Sequence, residues 1–204
     1  MGGSDDAETP ETPDDSTLVA ALRHRDPAAM RALYERYSDR IFGFLYRLTR
    51  DRALADDLHQ ETWLAAARHA VNLRPESDLA AWLFTIARNK YRSWCRWSVL
   101  AEPFGHPLKE QEHAGSENPQ GGFQNGFQDD LRDLEQALAR LAPPFREVLL
   151  LVGCEGLQAT QVARILGITP EAVRQRVARA RAALWQEISP DNLADARMKL
   201  KGTR

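Results

Sequence analysis

Between Glu171 and Glu187 the chain reads Ala-Val-Arg-Gln-Arg-Val-Ala-Arg-Ala-Arg-Ala-Ala-Leu-Trp-Gln, with no carboxylate to balance its arginines. A guanidinium holds a phosphate or docks as a fork on a guanine edge, and a glutamine amide pairs with adenine in a similar way. Solvated helix faces mix charge signs. Arg174, Arg176, Arg179 and Arg181 instead repel one another and point to a polyanion. A second basic stretch lies upstream. No acid occurs between Asp78 and Glu102, and Arg88, Lys90, Arg92 and Arg96 alternate there with Trp82, Phe84, Tyr91, Trp94 and Trp97. Rings that stack bases beside cations that hold phosphates are the parts of a single-stranded nucleic-acid site. Trp82 and Phe84 read as core instead.

A third group is acidic. Asp56, Asp57, Gln60 and Glu61 flank Leu58, Trp63 and Leu64, a combination that suits a protein partner with a basic groove. Standing alone, an ordinary solvated face is the simpler reading of it. Nothing in the sequence offers a phosphate-cradling glycine loop, a nucleophile beside a base or a cluster of metal ligands. Neither enzymatic activity nor a cofactor or metal is therefore expected. Cys95 and Cys154 sit in apolar helical stretches and read as reduced thiols.

Helical periodicity positions all three groups. Leu18, Ala21 and Leu22 begin an apolar stripe that breaks at Asp26-Pro27, where a proline suits the first turn of a new helix. Met30, Leu33, Tyr34, Tyr37, Ile41, Phe44, Leu45 and Leu48 continue it to a polar break at Thr49-Arg50-Asp51. A helix is predicted from about Ala53 to His69, and Pro75 makes Val71–Asp78 an exposed loop. The basic-aromatic helix runs from about Leu79 to Trp97, with Leu79, Leu83, Ile86, Ala87, Tyr91 and Trp94 as its buried stripe. Residues 98–129 scatter proline and glycine among polar residues, which is linker composition. Such a linker has a relaxed span near ~30 Å and a stretched reach near ~100 Å, so the halves should be tethered rather than docked. Periodicity returns at Leu131, Leu134, Leu138 and Leu141, and a second apolar helix through Phe145, Val148, Leu149 and Val152 stops at Gly153.

From Ala159 onward the pattern is a helix-turn-helix. Val162, Ala163, Ile165 and Leu166 form the first helix, and Ala163 is small where two helices must approach. Gly167 can take the positive φ of a sharp turn. Thr169 is the N-cap, Pro170 fits the first helical position, and Glu171 complements the helix dipole. Val173, Val177, Ala180 and Leu184 bury one face and leave the arginines outside. A plain helical hairpin with a solvated arginine face is the competing account.

Composition sets the outer bounds. With 204 residues and 43% hydrophobic content the chain is globular, and it shows no strand pattern and no apolar run near the ~18 residues that span a bilayer. Asp5, Asp6, Glu8, Glu11, Asp14 and Asp15 make the start the opposite of a signal peptide, so a cytoplasmic protein is expected. The fold class is all-α, with two small helical domains joined by a flexible linker. The expected organisation is an acidic disordered tail (1–16), a first domain (17–97), the linker (98–129), a second domain (130–187) and a C-terminal extension (188–204). Ser189-Pro190-Asp191 reads as a new helix start in that extension.

Taken in order, four segments resemble the extracytoplasmic-function sigma factors of bacterial RNA polymerase. They are Ala55-Asp56-Asp57-Leu58-His59-Gln60-Glu61-Thr62-Trp63, Ala81-Trp82-Leu83-Phe84-Thr85-Ile86-Ala87-Arg88-Asn89, Leu141-Ala142-Pro143-Pro144-Phe145-Arg146-Glu147-Val148-Leu149, and Gly167-Ile168-Thr169-Pro170-Glu171-Ala172-Val173-Arg174-Gln175-Arg176. The resemblance implies a promoter-specificity subunit that binds core polymerase through its beta and beta-prime subunits. Asp57, Leu58, Gln60, Glu61 and Trp63 would dock on the clamp coiled coil. The loop 71–78 with Arg74 and Ser77, together with Arg88, Asn89, Lys90, Arg92, Ser93 and Arg96, would melt the −10 element and hold a flipped base. Thr169, Glu171, Arg174, Gln175, Arg176, Ala178, Arg179 and Arg181 would meet the −35 element in the major groove. The two elements lie roughly 50 Å apart along the duplex, within an extended linker's reach. An anti-sigma partner is also implied, with no membrane insertion of the chain itself.

Several positions depart from that pattern. His59 replaces an aliphatic residue, Ser93 a frequent Asp, Ala178 a bulkier base contact, and Gln158-Ala159-Thr160-Gln161 a common Ser-Tyr-acid-acid start. These changes bear on promoter preference rather than class. A helix-turn-helix regulator of another class is the alternative, but one of the response-regulator kind needs an α/β receiver that residues 17–97 do not encode.

Overall fold

The computed structural model describes residues 14–101 and 134–201, with side chains for 14–98 and 134–188. Residues 102–129 of the expected linker, residues 130–133 of the expected second domain, the first thirteen residues of the acidic tail and residues 202–204 lie outside the described residues. Helix α1 (Asp15–Arg23) starts two residues inside the stretch expected to be tail. Its first turn is anchored because Asp14 accepts from the Ser16 hydroxyl at 2.6 Å and Asp15 pairs with Arg36 at 2.5 Å. Helix α2 (Pro27–Thr49) starts where Asp26 accepts from the Ala28 amide at 2.8 Å with Pro27 at the first position. It stops at Arg50, which takes a left-handed φ of 57° and closes the last turn on the Tyr46 carbonyl.

Asp51 then caps α3 (Arg52–His69) through the Leu54 amide at 3.1 Å. A single 3-10 turn (Ala70–Asn72) leads into the loop, and α4 (Leu79–Ala101) follows, four residues longer than its stripe predicts. Leu33, Ile41, Phe44, Leu45, Leu79, Leu83 and Phe84 are fully buried, with Phe44 and Phe84 edge to face at 5.3 Å. Phe84 is core as its position predicts, whereas Trp82 is only half-buried.

The second half comprises α5 (134–140), α6 (Pro143–Leu149), a π-helical turn (Leu150–Cys154), α7 (Ala159–Leu166) and α8 (Pro170–Lys201). Its core is Val148, Leu150, Leu151, Val162, Ile165, Val173 and Ala180. No fresh helix starts at Ser189-Pro190-Asp191, because α8 runs through Pro190 to Lys201. A proline removes one backbone bond and bends a helix without always ending it. Among the described residues there is no strand.

One expectation is overturned. The two halves are docked, with α7 against α4, and a single hydrophobic cluster runs from Leu18 to Ala180. The linker composition concealed this because the contact is made by side chains far apart in sequence, above all two carboxylates buried against arginines. A carboxylate leaves water only when a cation and hydrogen bonds replace the hydration it loses.

Candidate nucleic-acid interface

The helix-turn-helix is built as its residue types dictate. Gly167 ends α7 at φ 68°, its N–H bonded to the Ala163 carbonyl, and a Cβ there would meet nothing within 4 Å. Only the backbone conformation asks for glycine. Thr169 accepts from the Ala172 amide at 3.2 Å, so its hydroxyl serves the cap. Val173 and Ala180 face the core, while Arg174, Gln175, Ala178, Arg179 and Arg181 are exposed and Arg176 is half-buried at the side. Arg174 reaches back to Glu171 at 2.5 Å, an exposed pair worth little in water and easily exchanged for a base or phosphate.

Of the residues expected to meet the −10 element, Arg74 and Ser77 line a cleft and the others do not. The 71–78 loop is closed by a reciprocal pair in which the Arg74 amide donates to the Ser77 hydroxyl at 2.8 Å and the Ser77 amide to the Arg74 carbonyl at 2.9 Å. Asp78 caps α4 through the Ala81 amide at 2.9 Å. Arg74, Glu76, Ser77, Asp78, Ala81, Trp82, Thr85 and Arg164 line an open cleft of about 350 Å³, in the size range of small-ligand pockets. Asn89, Arg92, Ser93 and Arg96 are exposed along α4, and Lys90 pairs with Glu61 at 3.0 Å. Arg88 behaves differently from its neighbours. It is 8% exposed, and its Nε meets Glu147 at 2.8 Å while Nη1 donates to the Ile165 carbonyl at 3.2 Å. Arg88, expected to face the −10 element, is instead covered by Glu147 and Ile165 of the second domain.

The acidic helix presents Asp57, Gln60 and Glu61 to solvent, and Leu64, 57% exposed, extends them at helical spacing. Leu58 needs the same kind of correction: at 3% exposure it packs the core and does not reach the surface a partner would touch. Trp63 is half-buried, its ring 4.8 Å from that of Tyr34, and its indole N–H donates to His59 Nε2 at 2.8 Å. Burial holds the His59 ring below the ordinary histidine pKa, partly opposed by Ser38, Asp56 and Asp39. Burial likewise pushes the Cys95 thiol and the Tyr91 hydroxyl upward, which keeps them protonated. Sequence reasoning missed Arg40, Glu147, Glu155, Gln161 and Arg164. Glu147 carried one legible signal, a carboxylate amid the apolar run Phe145–Val152.

Comparison with known proteins places this geometry. The family model "Sigma-70 region 2" matches residues 33–97, and "Sigma-70, region 4" matches residues 131–184. The sigma factor CarQ of Myxococcus xanthus is 32% identical over 86% of this chain and 99% of its own length. The sigma factor RfaY of Xanthomonas campestris is 30% identical over 84% of this chain, which spans only 45% of that longer protein. Among solved structures, the sigma factor RpoE of Bartonella quintana, in complex with the anti-sigma factor NepR, superposes with a TM-score of 0.62 at 27% identity, covering 78% of this chain and 95% of that one. A sigma-70 region 2 followed by a region 4 defines the sigma class of transcription-initiation proteins. The chain belongs to the sigma-70 family, as an extracytoplasmic-function (ECF) RNA polymerase sigma factor, and its function is promoter-specific transcription initiation. Among the described residues, no helix is long and apolar enough to cross a membrane.

Proposed function

We propose that Asp57, Gln60, Glu61, Leu64 and Trp63 form the surface that binds core polymerase, that the 71–78 cleft and α4 melt the −10 element, and that α8 reads the −35 element. The observation that carries this division is the exposed stripe of Arg174, Gln175, Arg179 and Arg181 on a helix whose N-terminus is set by Gly167 and Thr169. That stripe suits a major groove, with arginine to guanine and glutamine to adenine. The acidic stripe on α3 would repel DNA and suits a basic protein groove. The cleft beside Trp82 has an aromatic wall and a polar rim for one unstacked base. The chain acts by binding alone, without catalysis of its own, and an anti-sigma protein that grips both domains would silence it.

The assignment of the docking surface has a direct test. Asp57→Lys with Glu61→Lys should abolish co-purification with core polymerase while the helical circular dichroism stays unchanged. Unimpaired co-purification of that variant would place the docking surface elsewhere.

A further inference from the structure

Helix α8 carries a large ring in line with its arginines. Trp185 is 71% exposed, although an indole is among the side chains most buried on average. Counted from Arg174, it falls in register with Ala178 and Arg181 at i, i+4, i+7 and i+11, so the four share one face of the helix. Val173, Val177, Ala180 and Leu184 turn the neighbouring flank inward, which makes this exposed face a lateral one. A single exposed apolar residue is ordinary by itself. Its register with arginines gives this one a place. The region 4 model ends at residue 184, so Trp185 is a feature of this chain outside the family match.

We infer that Trp185 packs against the sugar–phosphate backbone of the duplex flanking the −35 element, its ring on a deoxyribose and its Nε1–H toward a phosphate. The inference rests on the assignment of α8 to that element. Distance selects the backbone over the bases. At a rise of about 1.5 Å per residue, Trp185 lies ~16 Å along the axis from Arg174, and the major groove is about 12 Å wide. A helix that seats Arg174 over base edges therefore carries Trp185 past the groove wall. Arg181, one turn earlier on the same face, would hold the adjoining phosphate.

An indole suits that surface, because its flat apolar face covers a sugar and its one polar group only donates. Charge favours DNA over a protein occupant. The two acids on the described side chains of α8, Glu171 and Glu187, pair with Arg174 at 2.5 Å and Arg140 at 4.0 Å, and no carboxylate lies between them. A backbone contact of this kind adds affinity without reading sequence. Being neutral, the ring also displaces no counterion and leaves the salt dependence untouched.

The test uses holoenzyme assembled from core polymerase and the full chain, on a labelled promoter fragment from one of its own initiation sites. Alanine is the better helix former and the position is exposed, so Trp185→Ala spares α8 and the core. It should bind the fragment about 3–10-fold more weakly, with assembly on core polymerase and helical circular dichroism unchanged. Hydroxyl-radical footprinting should show one or two sugars beside the upstream element losing protection. The sequence selected from a randomised upstream element and the salt slope should stay as in the wild type. Trp185→Phe should recover most of the affinity, since the packing is kept. Wild-type affinity and footprint for Trp185→Ala would overturn the inference. Weakened assembly on core polymerase with an intact footprint would also overturn it and make the polymerase the occupant. A shift in the selected bases would overturn it by making the ring a reader of sequence. In each of these cases Arg179→Ala and Arg181→Ala still lower affinity if α8 serves the −35 element; their silence would instead remove the assignment on which the inference rests.

Discussion

Trp63 can donate but never accept, so its 2.8 Å bond to His59 Nε2 fixes that nitrogen as unprotonated. Tyr34 and Phe42 ring the imidazole at 6.1 and 5.9 Å, and Ser38 sits 3.1 Å from the same nitrogen. Where the resembled pattern carries an aliphatic residue, this chain uses an acceptor to hold the indole at the edge of the acidic stripe. Because the folded-state pKa is depressed, the neutral ring's contribution is fully present above about pH 6.5. It is lost as pH falls through the lower, folded value. The melting temperature of the wild type should therefore drop more steeply below about pH 6.5 than that of His59→Gln; parallel slopes would remove His59 from the account. On α8, Arg179→Ala should relax base preference at one upstream position, a loss of ~1–3 kcal/mol of discrimination. Arg181→Ala should weaken all promoters alike and flatten the salt dependence. Selection of a randomised upstream element against each variant separates the two roles. The residue types were legible at these positions because exposed arginines without acids have few other uses. Leu58 and Arg88 were not, because helical spacing alone does not say which flank another element will cover.

Helix ends with a local chemical cause were readable, and those set by packing were not. Asp26-Pro27, Asp51, Gly167 and Thr169-Pro170 each bring their own cap or forced dihedral, and the structure starts or stops helices at each. Pro190 misled because a proline is compatible with a helix that continues, and α4 outran its apolar stripe to Ala101. Gly167 offers the cleanest test at this scale. With φ at 68° and free space around a built Cβ, Gly167→Ala has backbone strain as its sole penalty, about 1–2 kcal/mol. Gly167→Asn should lose less, since asparagine tolerates the left-handed region. Equilibrium denaturation of the chain reads both values, and a neutral Gly167→Ala would show that the turn can close another way.

At the scale of the whole molecule the sequence supported two domains and a linker, and it concealed their docking. Pairing Arg40 with Glu155 across 115 positions, or Arg88 with Glu147 across 59, leaves no periodic trace in either segment. The class of the protein was legible all the same, because it follows from the order of an acidic helix, a basic-aromatic helix and a helix-turn-helix rather than from how the halves sit together. Promoter-specific initiation is tested most directly by reconstitution. Purified chain is added to core RNA polymerase on a library of genomic fragments, and the 5′ ends of the transcripts are sequenced. The account predicts initiation at a small set of sites that share an upstream and a downstream element at fixed spacing, and loss of those transcripts with Asp57→Lys and Glu61→Lys combined. Transcripts no different from those of core polymerase alone, from a chain that nonetheless binds it, would contradict the account.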